Sequence, residues 1–355
     1  MPSFPLPRLS LGLVLAATVL CGLPARLAAE LVWKPQTGWR VEGGVLAGVA
    51  GGPEARNALE LMNKARNDEE RHHVGAAISG YNKVGKKYPN SIYAPEALYR
   101  AAKLYLGRKE YYNSFSAFQS VVGRYPSTRR FNEIIGEQYR IAGSLLNGAR
   151  NHFWGVFPGL TSRTRGVEYF EYVLRNAPYS DYAPLCVMNI ARGFQQMNET
   201  EAAIDALDRF INPYPQSLLT ADAYLKLAQT HASLVDGPYY DQGSTKEALT
   251  YYEDFMILFP NDANIAAAAR GLDAMKKMLA ESKMKMADFY FYKRDNYTAA
   301  KVFYNEAITA YPDSEVARRA KGMLVAVAAK AAGRPVPAPA PGQGTAPKKK
   351  RFWLF

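Results

Sequence analysis

The feature that most constrains the fold is an aromatic-proline-polar step that recurs along the chain. Its prolines are Pro89, Pro126, Pro178, Pro215, Pro260 and Pro312, and Ala177 replaces the aromatic residue once. The intervals between them are 37, 52, 37, 45 and 52 residues, so three intervals exceed the shortest by 8 or 15. A fixed period with insertions predicts a repeat protein, in which each unit buries its core against its neighbours.

Within one period the apolar residues are spaced as in two amphipathic helices. Leu98, Ala102 and Tyr105 lie three or four residues apart and therefore share one helical face. Phe118 follows in a second stretch, which ends at Pro126 because proline cannot continue a helix. Equivalent core positions in later units are Ala191, Phe194, Ala203 and Tyr252. The pattern predicts an all-α fold built from helix pairs.

This spacing resembles the tetratricopeptide repeat, which places large, small and aromatic residues on one helix and small, aromatic and proline residues on the next. The match spans residues 58–320 and implies a solenoid of about five to six helix pairs. The period of 37 is longer than the usual period of about 34. We expect the extra polar residues after each proline to cap the following helix. Short connections in the first two repeats predict a concave face that is open to an extended segment.

The third unit carries an aromatic insertion between its two helices. The insertion contains Phe153, Trp154 and Phe157. Aromatic residues of this density are costly to leave in water. They either pack on the repeat array or contact a partner, and the sequence leaves both interpretations open.

Three segments together resemble one family. The aromatic insertion, the sequence NAPYSDYAP at 176–184 and the sequence YPNSIYAPEALYRAA at 88–102 are similar to the BamD family of outer-membrane assembly lipoproteins. The resemblance implies a periplasmic scaffold that binds a BamA-like β-barrel assembly protein and unfolded outer-membrane chains. A periplasmic repeat protein that coordinates cell-wall synthesis or envelope constriction is the alternative function.

The amino terminus has the three parts of an export signal. Arg8 precedes an apolar run, Leu9–Leu20, and small residues end at Ala29. The run is shorter than the roughly 20 apolar residues that span a bilayer. Cys21 follows the run where bacterial lipoproteins carry their lipid, but Leu20 stands where such signals have a small residue. Cleavage near Ala29 without a lipid is favoured, and cleavage before Cys21 with lipidation stays open.

These segments give the expected organisation: a signal peptide at 1–29, an extended segment at 30–57, the solenoid at 58–332 and a disordered proline-rich basic tail at 333–355. The formal charge is +12, of which the signal carries two cations and the tail five, so the body keeps +5. Because the positive charges are spread over the chain and not concentrated in one basic stripe, they argue against nucleic-acid binding. Four cations, Lys348–Arg351, precede four apolar residues, which leaves open a contact of the tail with the inner leaflet of the outer membrane.

No residue set in the sequence indicates catalysis, a cofactor or a metal. The chain has two cysteines, Cys21 and Cys186, and four histidines, of which His72 and His73 are adjacent and point to different helix faces. Nucleotide-binding, zinc-protease and serine-hydrolase motifs are missing from the sequence. An enzyme that uses the repeats as a platform is therefore disfavoured, and we expect a binding protein.

Overall fold

The computed structural model of the protein describes residues 30–42, 53–239 and 242–335. The predicted signal peptide, the lipidation prediction for Cys21 and the tail beyond residue 335 lie outside the described residues. Those three interpretations therefore remain predictions.

The described residues form thirteen helices and four short strands. The helices are α1 (Pro53–Glu70), α2 (Val74–Lys87), α3 (Ala94–Gly107), α4 (Tyr111–Arg124), α5 (Phe131–Leu146), α6 (Arg163–Asn176), α7 (Tyr182–Gln196), α8 (Thr200–Ile211), α9 (Thr220–Ser233), α10 (Gln242–Leu258), α11 (Ile265–Lys293), α12 (Tyr297–Ala310) and α13 (Glu315–Ala331), and the strands are β1 (Glu30–Lys34), β2 (Gly38–Glu42), β3 (Arg150–Phe153) and β4 (Phe157–Thr161). Helices α1 to α12 form six successive pairs, and α13 follows them. This arrangement confirms the all-α tetratricopeptide fold and the expected number of pairs.

The chain divides into two compact units, residues 1–169 and 170–355. In each unit the repeat positions supply the core. Leu98, Ala102, Phe118, Ala191, Ala203 and Tyr252 are buried, whereas Tyr105 and Phe194 are partly buried. The small residues bring the helices of a pair close together, and the aromatic residues fill the space beside them.

The turn inside most helix pairs holds one residue in the left-handed region. These residues are His72, Lys109, Asn198 and Asp295, with φ between +48° and +60°, and Gly148 with φ +93°. A left-handed residue ends the first helix and redirects the chain into the second. Side chains with a Cβ adopt this conformation at a cost, which the packing of the helix pair must offset.

The tyrosine of the repeated step links neighbouring repeats. The Tyr125 hydroxyl donates a hydrogen bond to the Pro89 carbonyl at 2.5 Å, and the Tyr214 hydroxyl donates to the Pro178 carbonyl at 3.1 Å. In both cases donor and acceptor are 36 residues apart. The same hydrogen bond therefore recurs between neighbouring repeats, at a spacing one residue shorter than the period of 37 because the tyrosine directly precedes the proline.

The expectation that polar residues after the proline cap the next helix is wrong for most repeats. Helices α3, α5, α7 and α9 begin without a hydrogen bond from a capping side chain. The polar residues close the preceding turn instead, as where Ser217 Oγ accepts from the Leu219 N–H at 3.2 Å. Asn296 and Ser314 do cap α12 and α13.

Within the segment expected to be extended at 30–57, residues 30–42 form an antiparallel hairpin of β1 and β2, and α1 begins at Pro53. Proline suits the first turn of a helix because its missing N–H has no helical partner there. The inserted residues before the sixth pair are continuous with its first helix, so α11 is one helix of 29 residues.

Three repeat cores contain a tyrosine, Tyr81, Tyr252 or Tyr304, where others contain phenylalanine, and two of these tyrosines meet a carboxylate. The Tyr81 hydroxyl donates to Glu69 at 2.5 Å, and the Tyr304 hydroxyl donates to Asp288 at 2.6 Å. Burial raises the pKa of both tyrosines, so both phenols stay protonated. Asp288 therefore occupies a position expected to hold a small residue because it satisfies a buried hydroxyl.

Candidate functional site

The aromatic insertion of the third pair forms a hairpin of β3 and β4, which we call the aromatic hairpin. The strands are antiparallel, with Phe153 opposite Phe157. Trp154 and Gly155 have φ values of +53° and +75°, and the Val156 N–H donates to the Phe153 carbonyl at 3.2 Å. Two left-handed residues in succession match the twist of the paired strands, but a tryptophan rarely adopts this conformation.

The base of the aromatic hairpin is bonded to the second repeat. The His152 N–H donates to the Lys109 carbonyl at 2.9 Å. The buried Asn151 side chain accepts from the Tyr112 N–H at 3.0 Å. The hairpin is therefore anchored to the α3–α4 turn and to the start of α4.

The tip is held by one arginine. Arg108 donates through Nη2 to the Trp154 carbonyl and pairs through Nε with Glu110 at 2.9 Å. A Cβ at Gly155 would overlap the Arg108 guanidinium. The position thus favours glycine for its left-handed backbone, and a Cβ there would also displace the Arg108 guanidinium.

The aromatic side chains of this hairpin face solvent. Trp154 is 76% exposed, Phe157 60% and Leu160 90%, and Phe153 and Val156 are more than half exposed. Trp154 and Phe157 contact each other edge to face, with ring centroids 6.2 Å apart. The structure thus brings the three predicted residues together and disagrees with packing on the array, which leaves partner contact as the prediction.

The surroundings of the aromatic hairpin are cationic. Between Glu137 and Glu168 the sequence contains four arginines and no acidic residue. Arg150 and Arg163, at the two ends of the hairpin, are exposed. Glu168 pairs with Arg165 at 2.8 Å. The site therefore combines an apolar tip with a positively charged base.

A second candidate surface lies under the amino-terminal hairpin, β1–β2. Trp39 is buried, and its backbone N–H donates to Asn63 Oδ1 of α1 at 2.9 Å. The Arg66 guanidinium lies 4.3 Å from the Trp33 ring centroid, and the Arg100 guanidinium lies 4.7 Å from that of Trp39. The hairpin thus covers the first helices of the first two repeats.

This cover corrects the expectation that the concave face of the first two repeats is open. The connections between those helices are short, as predicted, but the covering segment comes from before the first repeat. The same contacts show that the face holds an extended segment with aromatic side chains, since cation–π contacts fix both tryptophans.

A shallow groove on the second unit was not predicted. Its volume is about 540 Å³, and its lining includes Leu174, Pro178, Tyr179, Arg209 and Tyr214. Tyr179 is almost fully exposed, and Arg209 pairs with Glu171 at 2.6 Å. The groove follows from the Tyr–Pro steps of two successive repeats, a signal that the period already contained.

The lysines of α11 form contacts within the chain. Lys276 pairs with Glu253 at 3.1 Å, Lys283 pairs with Glu306 at 2.6 Å, and Lys285 Nζ lies 3.4 Å from the Tyr239 ring centroid. These interactions indicate a solvated face whose charges are largely compensated.

Three other kinds of site were considered in the described part of the chain: a metal site, a membrane-spanning helix and a reactive cysteine. No group of three His, Cys, Asp or Glu residues there is placed to hold a metal. None of the helices in the described ranges has the length and apolar character to cross a membrane. Burial raises the pKa of the Cys186 thiol to about 12, which leaves it protonated and unreactive.

Two family models match the chain. Residues 162–333 match the YfiO family, described as an outer membrane lipoprotein, and residues 96–128 match a tetratricopeptide repeat. Among solved structures, the carboxy-terminal part of a tetratricopeptide protein from Cytophaga hutchinsonii is 17% identical with a TM-score of 0.32, over 73% of this chain and 85% of that one. The pilus biogenesis factor PilW is 14% identical with a TM-score of 0.25, over 76% and 98%.

Two curated relatives carry the name outer membrane protein assembly factor BamD. The protein from Rickettsia prowazekii is 26% identical over 41% of this chain and 58% of the relative, and that from Caulobacter vibrioides is 30% identical over 35% and 41%. The chain thus spans about half the length of the curated relatives it matches. These findings confirm the resemblance predicted from the motifs: the chain contains tetratricopeptide repeats and is similar to the outer membrane lipoprotein family of BamD over residues 162–333.

Proposed function

We propose that this protein is a periplasmic scaffold, associated with the outer membrane, in the assembly of outer-membrane β-barrel proteins. The observation that carries the proposal is the match of residues 162–333 to the outer membrane lipoprotein family, on a fold made of stacked helix pairs. Repeat folds of this kind act by binding other chains rather than by catalysis.

The second unit is the proposed docking surface for a BamA-like β-barrel assembly protein. It contains most of the residues matched by the lipoprotein family, and its groove presents Tyr179 and Arg209. Tyrosine and arginine are enriched among residues that dominate binding energy at interfaces. The compensated lysines of α11 are a weaker choice because their charges already have partners.

The test is affinity purification of the tagged full chain from its native envelope, followed by mass spectrometry. We expect a BamA-like protein to co-purify, and Tyr179→Ala with Arg209→Ala to reduce its recovery about tenfold or more. Val325→Ala, which truncates an exposed side chain of α13, is the matched control. Recovery of a peptidoglycan synthase or an envelope-constriction complex instead would support the alternative function.

The first unit is the proposed site for unfolded outer-membrane chains. The face covered by the β1–β2 hairpin already holds an extended segment through Trp33 and Trp39. A client segment with aromatic side chains would use the same arginines, Arg66 and Arg100, and so would compete with the hairpin.

This competition makes a measurable prediction. Trp33→Ala weakens the hairpin by removing a side chain that is only partly buried against the core of the first repeats, so a labelled client peptide should bind the full chain several-fold more tightly, as followed by fluorescence anisotropy. Leu160→Ala, on the other hairpin, is the control. Unchanged client affinity in Trp33→Ala would place the client site elsewhere.

A further inference from the structure

We propose that the aromatic hairpin, β3–β4, is a membrane-contact element whose tip enters the interfacial region of an anionic phospholipid surface. This role goes beyond the proposed scaffold function because it needs no protein partner.

The apolar side chains of the hairpin have the composition of an interfacial contact. Trp154, Phe157 and Leu160 are each at least 60% exposed. Tryptophan is enriched at membrane–water interfaces, where an apolar ring and a polar N–H are both satisfied. An exposed apolar tip suits a deformable lipid surface.

The backbone of the tip is prepared for a medium of low polarity. The Val156 N–H donates to the Phe153 carbonyl, and the Trp154 carbonyl accepts from Arg108. Peptide groups that are already bonded lose less on leaving water than free ones do. The anchored base and the contact of Arg108 with the tip also fix the hairpin before binding, which lowers the entropic cost of ordering it.

The positions of Arg150 and Arg163 favour an anionic lipid surface. Arg150 lies four residues from Trp154, which at about 3.3 Å per residue separates them by about 13 Å. Interfacial elements bury their apolar face about 5–10 Å deep, so a tip inserted to that depth leaves Arg150 and Arg163 near the phosphates. The stretch between Glu137 and Glu168 contains no carboxylate, and the nearby Glu110 is paired with Arg108.

The test measures binding of the full chain to vesicles of phosphatidylethanolamine and phosphatidylglycerol by co-sedimentation. The tail also combines cations with apolar residues, so all measurements use a full-length chain carrying Trp353→Ser and Phe355→Ser. In that background we expect Trp154→Ser with Phe157→Ser to weaken binding about tenfold or more. Ile257→Ser with Leu258→Ser, at exposed apolar positions of α10, is the matched control and should bind normally.

The electrostatic part is tested separately. Arg150→Glu and Arg163→Glu should each weaken binding about fivefold, and the background chain should bind vesicles of phosphatidylcholine alone more weakly. Circular dichroism checks that each variant keeps its helices. Equal vesicle binding by the background chain and the Trp154/Phe157 variant would overturn the proposal. Loss of protein co-purification without loss of vesicle binding would assign the hairpin to a protein partner. Failure of the scaffold function alone would leave the vesicle result unchanged.

Discussion

At the scale of single residues, Gly166 shows how closely two helices of a pair approach. A Cβ at this position would lie 2.7 Å from the Leu146 backbone nitrogen and 3.0 Å from the Ala142 carbonyl oxygen. Backbone atoms cannot move aside as the end of a side chain can. We therefore expect Gly166→Ala to lower the free energy of unfolding by about 1–3 kcal/mol, measured by urea denaturation.

Gly123 provides the matched control for that substitution. It also lies in a helix, but a Cβ there meets nothing within 4 Å. Gly123→Ala should raise the free energy of unfolding by about 0.5–1 kcal/mol, because alanine loses less backbone entropy on folding. Equal effects of the two substitutions would show that helix propensity, and not the contact with α5, determines the change in the free energy of unfolding.

Asp288 predicts a pH dependence. The pKa of this carboxyl is raised above its ordinary value, and burial is the largest cause of the shift. The hydrogen bond from the Tyr304 hydroxyl acts in the opposite direction. A raised pKa in the folded state means that stability is fully present below the unfolded pKa and is lost as pH rises through the folded pKa. At neutral pH the charged carboxylate therefore costs stability.

Asp288→Asn removes this cost and keeps an acceptor for Tyr304. We expect the variant to unfold at higher urea concentration than the parent at neutral pH, and the difference to shrink as pH falls through the raised folded pKa and to be lost below about 4. Asp205→Asn, at an exposed position of α8, controls for loss of one charge. A stability difference that grew on acidification would contradict the assignment.

At the scale of elements, the hydrogen bond between Tyr–Pro steps is testable. Tyr214→Phe deletes the bond to the Pro178 carbonyl and should cost about 0.5–1.5 kcal/mol of unfolding free energy. Tyr179→Phe removes the hydroxyl of an almost fully exposed ring and should leave thermal unfolding unchanged. Equal shifts in the two variants would mean that the bond does not hold neighbouring repeats together.

The helices were predictable and the hairpins were less so. Spacings of three and four residues fix a helical face directly, so the positions of Leu98 and Phe118 could be predicted from the sequence. The sequence does indicate the β1–β2 hairpin, because β-branched and aromatic residues stand on both sides of a Pro-Gln-Thr-Gly stretch at 35–38. The aromatic hairpin turns at Trp154–Gly155, and a tryptophan at such a turn gives no such signal.

At the scale of the whole molecule, stability should be a sum over neighbouring repeats. Phe118 and Phe255 are fully buried, one in each compact unit. Each substitution to alanine should cost about 3–5 kcal/mol. Because repeat arrays are held by nearest-neighbour contacts, the double variant should show the sum to within about 0.5 kcal/mol in chemical denaturation. A large departure from the sum would reveal coupling that the repeat description lacks.

The sequence could specify the core but not the candidate site. Core positions recur in every repeat, so one unit predicts the others. Exposure of Trp154 and coverage of Arg66 and Arg100 depend on contacts between segments far apart in the chain, which no local pattern encodes. The lack of packing of the aromatic insertion on the array could be seen only from the exposure of its side chains, and contact with a partner stays a prediction.

The pairing of β3 with β4 has a consequence for exchange of the insertion. Arg150 lies opposite Thr161, so the insertion leaves and rejoins the helix pair at points about 5 Å apart. To helices α5 and α6 it is equivalent to a tight turn, whatever its length. The strands and tip can therefore be exchanged without moving the ends of α5 and α6, at the loss of the hydrogen bonds that anchor this hairpin to the α3–α4 turn and to the start of α4.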